Sequence, residues 1–357
     1  KPAHELIFDA AVKLYNAGDP VDALTVASEL QRAGTMSRIG GAEYLHTLIA
    51  TVPSAASAGY YGRLVREQAI LRRLVEAGTR IANMGYDGEG GEVDAIVVAT
   101  PVPTHAELAK QALLAGKHVF VEKPMALEPD KAEELVAIAE EQDLTLMPGH
   151  LLLYHPGVTH LKELVDSGAL GDILYVYGNR QNLGTIRRDE NALWSLGVHD
   201  LSVILHLLGE QPVEVWSRGE SFLKQGVQDV VFCYLRFPSG KVAHMHLSWL
   251  DPHKMRRMTV VGTQKMAVFD DMELDRKLTL YDKAAEQAIG TYGEWRTRTG
   301  DIHSPHVPND EPLRLECAHF LDLVRGEGDR LAPARDGLAV VRTLAELQRS
   351  LETKPAV

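Results

Sequence analysis

The sequence predicts an all-α N-terminal module. An α/β part with a partial Rossmann-like parallel sheet follows, then an α+β part with a largely antiparallel sheet. Three observations predict this order. Residues 1–86 carry helical periodicity and no strand signal. From Asp94 to His150, short continuous apolar runs alternate with helical segments, the pattern of a doubly wound parallel sheet. Beyond Gly171, apolar and polar residues alternate, as in antiparallel strands with one wet face.

In the first part, HELIFDAAVKLYNAG puts Leu6, Ile7, Ala10, Ala11 and Leu14 on one helix face, with Gly18 as a fitting stop. DPVDALTVASELQRAG forms a second helix, started by Asp19-Pro20 and ended by Gly34. GGAEYLHTLIATVP forms a third, stopped by Pro53, and a long fourth helix runs to Tyr86 with Leu64, Ile70, Leu71, Leu74 and Ile81 as core candidates. The acidic, Gly-rich stretch 87–93 reads as a linker.

DAIVVAT, HVFVEKP and LTLMPGH are buried strands. The helix THAELAKQALLAGK lies between the first two and opens on an expected capping box, Thr104 to Glu107. DKAEELVAIAEEQD is the next helix, and HPGVTHLKELVDSG follows the third strand. ILYVYGNRQNLG, VEVWSRGE, DVVFCYLRFPSG, KVAHMHLSWL, MRRMTVVGTQKMAVFD and KLTLYD then read as strands. NALWSLGVHDLSVILHLLG, ECAHFLDLVRG and GLAVVRTLAELQRSLE read as helices. The organisation expected is a helical module over 1–86, a linker over 87–93, a truncated dinucleotide-binding domain over 94–150 and a substrate and oligomerisation domain over 151–357.

The totals exclude several functions. Net charge is −12, and it is concentrated after Gly91. Direct nucleic-acid binding is therefore not expected. Two cysteines far apart offer no disulfide framework or zinc ribbon, and no apolar run is long enough to span a bilayer, so a cytoplasmic location is expected. The pairs His244/His246 and His303/His306 have loose metal-like spacing but no supporting carboxylate or Cys, so no metal site is expected.

Two resemblances follow from specific stretches. HELIFDAAVKLYNAGDPVDALTVASELQRAG, GGAEYLHTLIATVPSAAS and YYGRLVREQAILRRLVEAG resemble the N-terminal domain of DnaB-type replicative helicases. The resemblance implies a contact surface for replication proteins over residues 1–86. Helicase activity is not expected, because no GxxxxGK[ST] loop exists to cradle ATP phosphates.

DAIVVATPVPTHAELAKQALLAGKHVFVEKP, LMPGHLLLYHPGVTHLKELVDSGALGDI, NALWSLGVHD and SWLDPHKMRRMTVVG resemble the glucose–fructose oxidoreductase / inositol dehydrogenase / MocA family. That resemblance implies NAD- or NADP-dependent oxidoreduction of a sugar or nucleotide-sugar carbinol, and a homo-oligomer built through the C-terminal sheet. It also implies that Lys123 and His199 are catalytic. Thr100, Pro101, His105, Glu122 and Lys123 would line the nicotinamide half of the cofactor, with Pro124 after a cis bond. Arg180, Asn182, Arg187, Trp194 and His199 are the candidates for holding substrate.

Each residue also has a plainer reading. An isolated EKP is a surface lysine at a strand end, Thr-Pro is a strand stop, a helix histidine is structural, and GNRQNLGTIRR, with Arg188, is a solvated loop. Two departures from the family pattern stand out. Ser195 replaces the Asp often found four residues before this His, and Asp200 points elsewhere on the helix. The first βαβ unit with its GxGxxG turn is missing, since the glycines of YDGEGGEVDAIVVATP precede a strand instead of following one. Cofactor binding is therefore expected to be weakened or lost. The alternative is a non-catalytic binding or assembly protein, or a chimeric product carrying a helicase-type interaction module.

Overall fold

The computed structural model describes residues 2–17, 19–51, 94–184, 186–187, 190–287, 294–329 and 332–353. The chain divides into two compact units, Lys1–Gly91 and Glu92–Val357. The expected fourth helix, the linker over 87–93, Gly18, Pro53 and Arg188 lie outside the described residues.

In the first unit, α1 (Pro2–Ala17), α2 (Ala23–Arg32), a 3₁₀ turn (Met36–Ile39) and α3 (Ala42–Thr51) surround one small core. Ala10, Leu14, Val26, Leu30, Ile39 and Leu45 fill it, and Leu6, Ile7 and Ala11 pack against them. The start of α2 differs from the expected Asp19-Pro20. Asp22 is the N-cap, and its carboxylate accepts from the backbone N–H groups of Leu24 and Thr25. Thr25 returns the bond to the Asp22 N–H, so donors that Asp19 is too distant to satisfy are met.

The second unit begins with β1 (Ala95–Val98), α4 (His105–Leu114), β2 (His118–Glu122), α5 (Pro129–Glu141) and β3 (Leu146–Gly149). The three strands form a parallel sheet in the order β1-β2-β3. Val119 and Val121 are fully buried, whereas Val97 on β1 is 65% exposed. Among the described residues no strand pairs with the outer edge of β1.

The expected capping box at Thr104 does not form. A 3₁₀ turn (Val102–Thr104) leaves Thr104 in the right-handed helical region, and its hydroxyl donates to the Pro101 carbonyl instead.

α6 (Pro156–Asp166) leads into an eight-stranded sheet ordered β11-β10-β9-β8-β4-β7-β6-β5. Its strands are β4 (Ile173–Gln181), β5 (Glu214–Glu220), β6 (Val230–Arg236), β7 (Val242–Ser248), β8 (Met255–Gly262), β9 (Met266–Asp270), β10 (Leu278–Gln287) and β11 (Trp295–His303). Among the described residues of this sheet, only β4 and β7 pair in parallel. β11 is absent from the sequence reading because WRTRTGDIH is a charged edge strand, mostly exposed, with no apolar alternation.

Val176, Gly178 and Arg180 point from β4 toward α7 (Val198–Leu208), and Tyr175, Tyr177 and Asn179 lie on the other face. α8 (Pro312–Val324) sets Phe320 and Leu323 against Phe120 and Met147.

α9 (Ala332–Glu352) joins the two sheets. Its Ala334, Leu338 and Val341 enter the core of the parallel sheet, while Val340, Leu344 and Leu347 enter the core of the larger one. The spacing i, i+4, i+7 within each set places two adjacent stripes on one helix. Gly337 lets α9 approach β3, since a Cβ there would lie 2.4 Å from Pro148 Cγ.

Candidate active site

The C-terminal ends of the three parallel strands converge on one place. Thr100 follows β1, Glu122 and Lys123 end β2, and His150 follows β3. Open parallel sheets bind ligands outside this edge.

His105 ties the first two loops together. Its ring is 1% exposed, and its nitrogens face the carbonyl oxygens of Thr100 (2.7 Å) and Pro124 (2.9 Å). The Lys123–Pro124 peptide is cis. Thr100 and Thr104 share a hydroxyl–hydroxyl bond, which fixes the turn that carries Pro101.

The larger sheet supplies the facing wall. A π-helical turn, Leu193–Gly197, runs directly into α7. Such turns put one extra residue into a helix, often at functional sites. Here it breaks the four-residue alignment between Ser195 and His199. Ser195 turns away from the imidazole: its hydroxyl accepts from the Trp249 indole N–H (3.0 Å), and its carbonyl accepts from Lys123 Nζ (3.3 Å). The serine thus anchors Lys123 and leaves His199 to other neighbours.

Those neighbours are cationic or neutral. Burial first, then Lys123, Arg180, His150 and Arg256, push His199 well below the ordinary imidazole range. Burial also lowers Lys123, with Glu190 opposing that shift and Arg187 adding to it. The imidazole is therefore held toward its neutral form near pH 7. The surrounding cations favour negative charge developing on a substrate oxygen.

The structure brings together Thr100, Glu122, Lys123 and His199, with Arg187 close enough to act on Lys123. Arg187 pairs with Glu190 at 2.9 Å. Arg180 also acts on His199, but it is buried and held by Asp200 Oδ1 through Nε and Nη2, each at 2.7 Å. Asp200 therefore serves Arg180 and not His199, and Gly178 leaves room for its carboxylate. Trp194 is 9% exposed within the core, and Asn182 bonds through its backbone N–H to the Ser248 carbonyl. His244 and His246 stack on Tyr177 and Phe232 on the outer sheet face.

Two site groups escape the sequence reading. His150 stands one residue past a strand end, the position that singles out Lys123, and that was the available signal. Glu316 on α8 is 1% exposed, and burial with Glu122 nearby raises its carboxyl to about 8. No local motif announces it.

Comparison with known proteins bears on this arrangement. A model described as the GFO/IDH/MocA C-terminal domain matches residues 158–268. One described as an oxidoreductase family with an NAD-binding Rossmann fold matches residues 34–150. The UDP-N-acetylglucosamine 3-dehydrogenase of Acidithiobacillus ferrooxidans is 30% identical over 255 residues, covering 71% of this chain and 76% of that protein.

The chain belongs to the GFO/IDH/MocA oxidoreductase family.

A solved structure of the same dehydrogenase superposes with a TM-score of 0.61 at 25% identity, over 73% of this chain and 79% of that one. The replicative DNA helicase DnaB of Mycobacterium leprae is 59% identical over 98 residues, 27% of this chain but only 16% of the helicase. The chain thus spans about a sixth of that helicase. The oxidoreductase match starting at residue 34 crosses a 3₁₀ turn and α3, and the family's strands begin, among the described residues, at Ala95.

The residues fit the nicotinamide end of NAD better than its pyrophosphate. Thr100, Glu122 and Lys123 stand at the strand ends, and Gly149 keeps the floor low, since a Cβ there would press on Phe120 and Glu122 at 3.3–3.4 Å. The sequence holds no GxGxxG turn to cradle phosphates. Among the described residues no helix is long and apolar enough to cross a membrane.

Proposed function

We propose that the second unit oxidises or reduces a carbinol on a sugar or nucleotide sugar, using NAD or NADP that is held more weakly than in complete family members. Bound nicotinamide would supply the hydride acceptor or donor. Lys123 and His199 would handle the hydroxyl proton, and Thr100, Pro101, His105 and Glu122 would shape the nicotinamide end. Arg187 would meet the substrate from the loop beside Lys123, and Arg180 would act through His199.

One observation carries the reading. Lys123 is fixed to the Ser195 carbonyl beside a half-buried histidine held toward its neutral form, an arrangement a surface lysine would not need. The relative named above suggests UDP-N-acetylglucosamine as the first substrate to try. Reduced nicotinamide should appear when the chain is mixed with NAD and that sugar, and NADH fluorescence should report binding. No binding at millimolar NADH would reject the proposal.

That negative result would favour a second reading, a binding or assembly protein without catalysis. Among the described residues no strand pairs with the outer edge of β1, and the sequence holds no GxGxxG turn; both motivate it. Residues 1–86 would then contact replication proteins, with Phe8, Val12 and Tyr15 exposed on one face of α1. Capture of primase or helicase by the purified chain tests that arm.

Under either reading, the chemistry of the outer face of the eight-stranded sheet supports homo-oligomer formation through it. Trp216, Tyr234, His244 and Tyr177 sit in register across β5, β6, β7 and β4. Trp216 is 51% exposed and Phe232 47%, a surface of the kind that marks interfaces.

A further inference from the structure

Trp249 spends its one polar atom on the wall of the candidate site. The side chain is 2% exposed, and its indole N–H donates to the Ser195 hydroxyl at 3.0 Å. A buried indole N–H needs an acceptor, and Ser195 supplies it. Trp249 is itself held from behind. Its backbone N–H donates to the Asp229 carbonyl (2.9 Å), and the Asp229 carboxylate accepts from the N–H groups of Phe222 (3.2 Å) and Leu223 (2.8 Å). Leu247, two residues before Trp249, ends β7 on the same side. It packs on Gly197, where a Cβ would lie 2.8 Å from Leu247 Cδ1. Leu247 and Trp249 thus meet Gly197 and Ser195, which stand two residues apart on the π-helical turn.

The start of that turn is tied separately. Asn191 Oδ1 accepts from the Trp194 N–H (3.2 Å), and Asn191 Nδ2 donates to Gln228 (3.0 Å) and Gln348 (2.9 Å). The turn then offers the Ser195 carbonyl to Lys123 Nζ at 3.3 Å. Lys123 follows β2 in the smaller sheet, so this bond reaches across from one sheet to the other. A lysine side chain is long and flexible, and an acceptor of fixed position decides where its ammonium rests. Serine suits the task, because a neutral hydroxyl can be buried beside an indole without burying a charge.

Building on the oxidoreductase reading, we propose that Trp249 is a positioning residue for Lys123: its indole N–H holds the Ser195 turn where the Ser195 carbonyl receives the lysine ammonium. Trp249 acts only through Ser195. Without the N–H, the turn loses the bond that opposes its movement, and the ammonium is released toward water.

Trp249→Phe keeps a ring and removes the donor. Ser195→Ala keeps the carbonyl and removes the acceptor, and as the smaller change it reads the same bond if Trp249→Phe fails to fold. In the full chain, brief labelling with acetic anhydride, read at each lysine by mass spectrometry, reports how freely each amine meets water and needs no turnover. Lys123 should label at least three-fold faster in either variant, and no faster in the double variant than in the singles. Lys277, part-buried beside Asp271, should label as in the parent, and Trp295→Phe on the exposed edge strand should change neither lysine. With NAD and a nucleotide sugar, both variants should lose kcat five-fold or more, with KM and NADH affinity within two-fold. The limb of the pH profile set by Lys123 should move up in pH, since an amine that regains water recovers toward the ordinary lysine value. Unchanged labelling of Lys123 overturns the positioning role, whether or not the chain turns over. Equal acceleration at Lys123 and Lys277 shows general loosening and overturns it as well. Labelling as expected in a parent chain inactive on nucleotide sugars overturns the oxidoreductase reading and supports the hold of Trp249 on Lys123.

Discussion

Lys123 and His199 share one field. Each is half-buried near other cations, so each is held toward its neutral form. If they carry the reaction, His199→Asn and Lys123→Met should each cost kcat about 10²-fold or more, a typical loss for acid–base groups, with NADH fluorescence titrations little changed. Activity should persist from neutral pH into mildly acid solution, because His199 takes up its proton only well below the usual imidazole range. Glu316 makes a stability prediction. Its carboxyl is raised from 4.5 to about 8, so between those values the folded chain binds more protons than the unfolded one. Stability should therefore be lost as pH rises through that window, by at most about 1.4 kcal/mol per pH unit. Glu316→Gln should unfold at a higher temperature than the parent near pH 9 and at the same temperature near pH 4. An unchanged difference across that range would dismiss the assignment.

Among the elements, α9 matters most, because its two stripes close two cores at once. Leu344 is fully buried in the larger core, and Leu344→Ala should cost about 2–5 kcal/mol in a denaturant titration. Gly337→Val should also destabilise, through the clash with Pro148, and should disturb β3 and hence His150. Much of this architecture was legible in the sequence, because periodicity reports which face an element buries. The three parallel strands and six segments of the larger sheet were readable in that way, one of which, MRRMTVVGTQKMAVFD, folds as both β8 and β9. β11 was not, since an exposed charged edge strand buries nothing. The π-helical turn escaped too, because one extra residue in a helix changes hydrogen bonding without changing the apolar pattern. The placement of Thr100, Glu122 and Lys123 at strand ends of the candidate site was legible, because the strands themselves were. Arg180 and Asp200 looked independent because only the fold brings β4 beside α7, and Glu316 reaches the site from a helix nearly 200 residues after Glu122.

At the scale of the molecule, two units carry separate hydrophobic cores. The aromatic row across the larger sheet predicts self-association. Trp216→Arg with Phe232→Glu should lower the mass seen in sedimentation, while circular dichroism stays the same. Association that survives both changes would move the interface elsewhere. Among the described residues no strand pairs with the outer side of Ala95–Val98, and this has a further consequence. A parallel edge strand offers unpaired N–H and C=O groups at the spacing a neighbouring strand requires. A separately expressed βαβ fragment bearing the absent glycine turn could dock there and restore tight cofactor binding in trans. The chain would then serve as the larger half of a split enzyme.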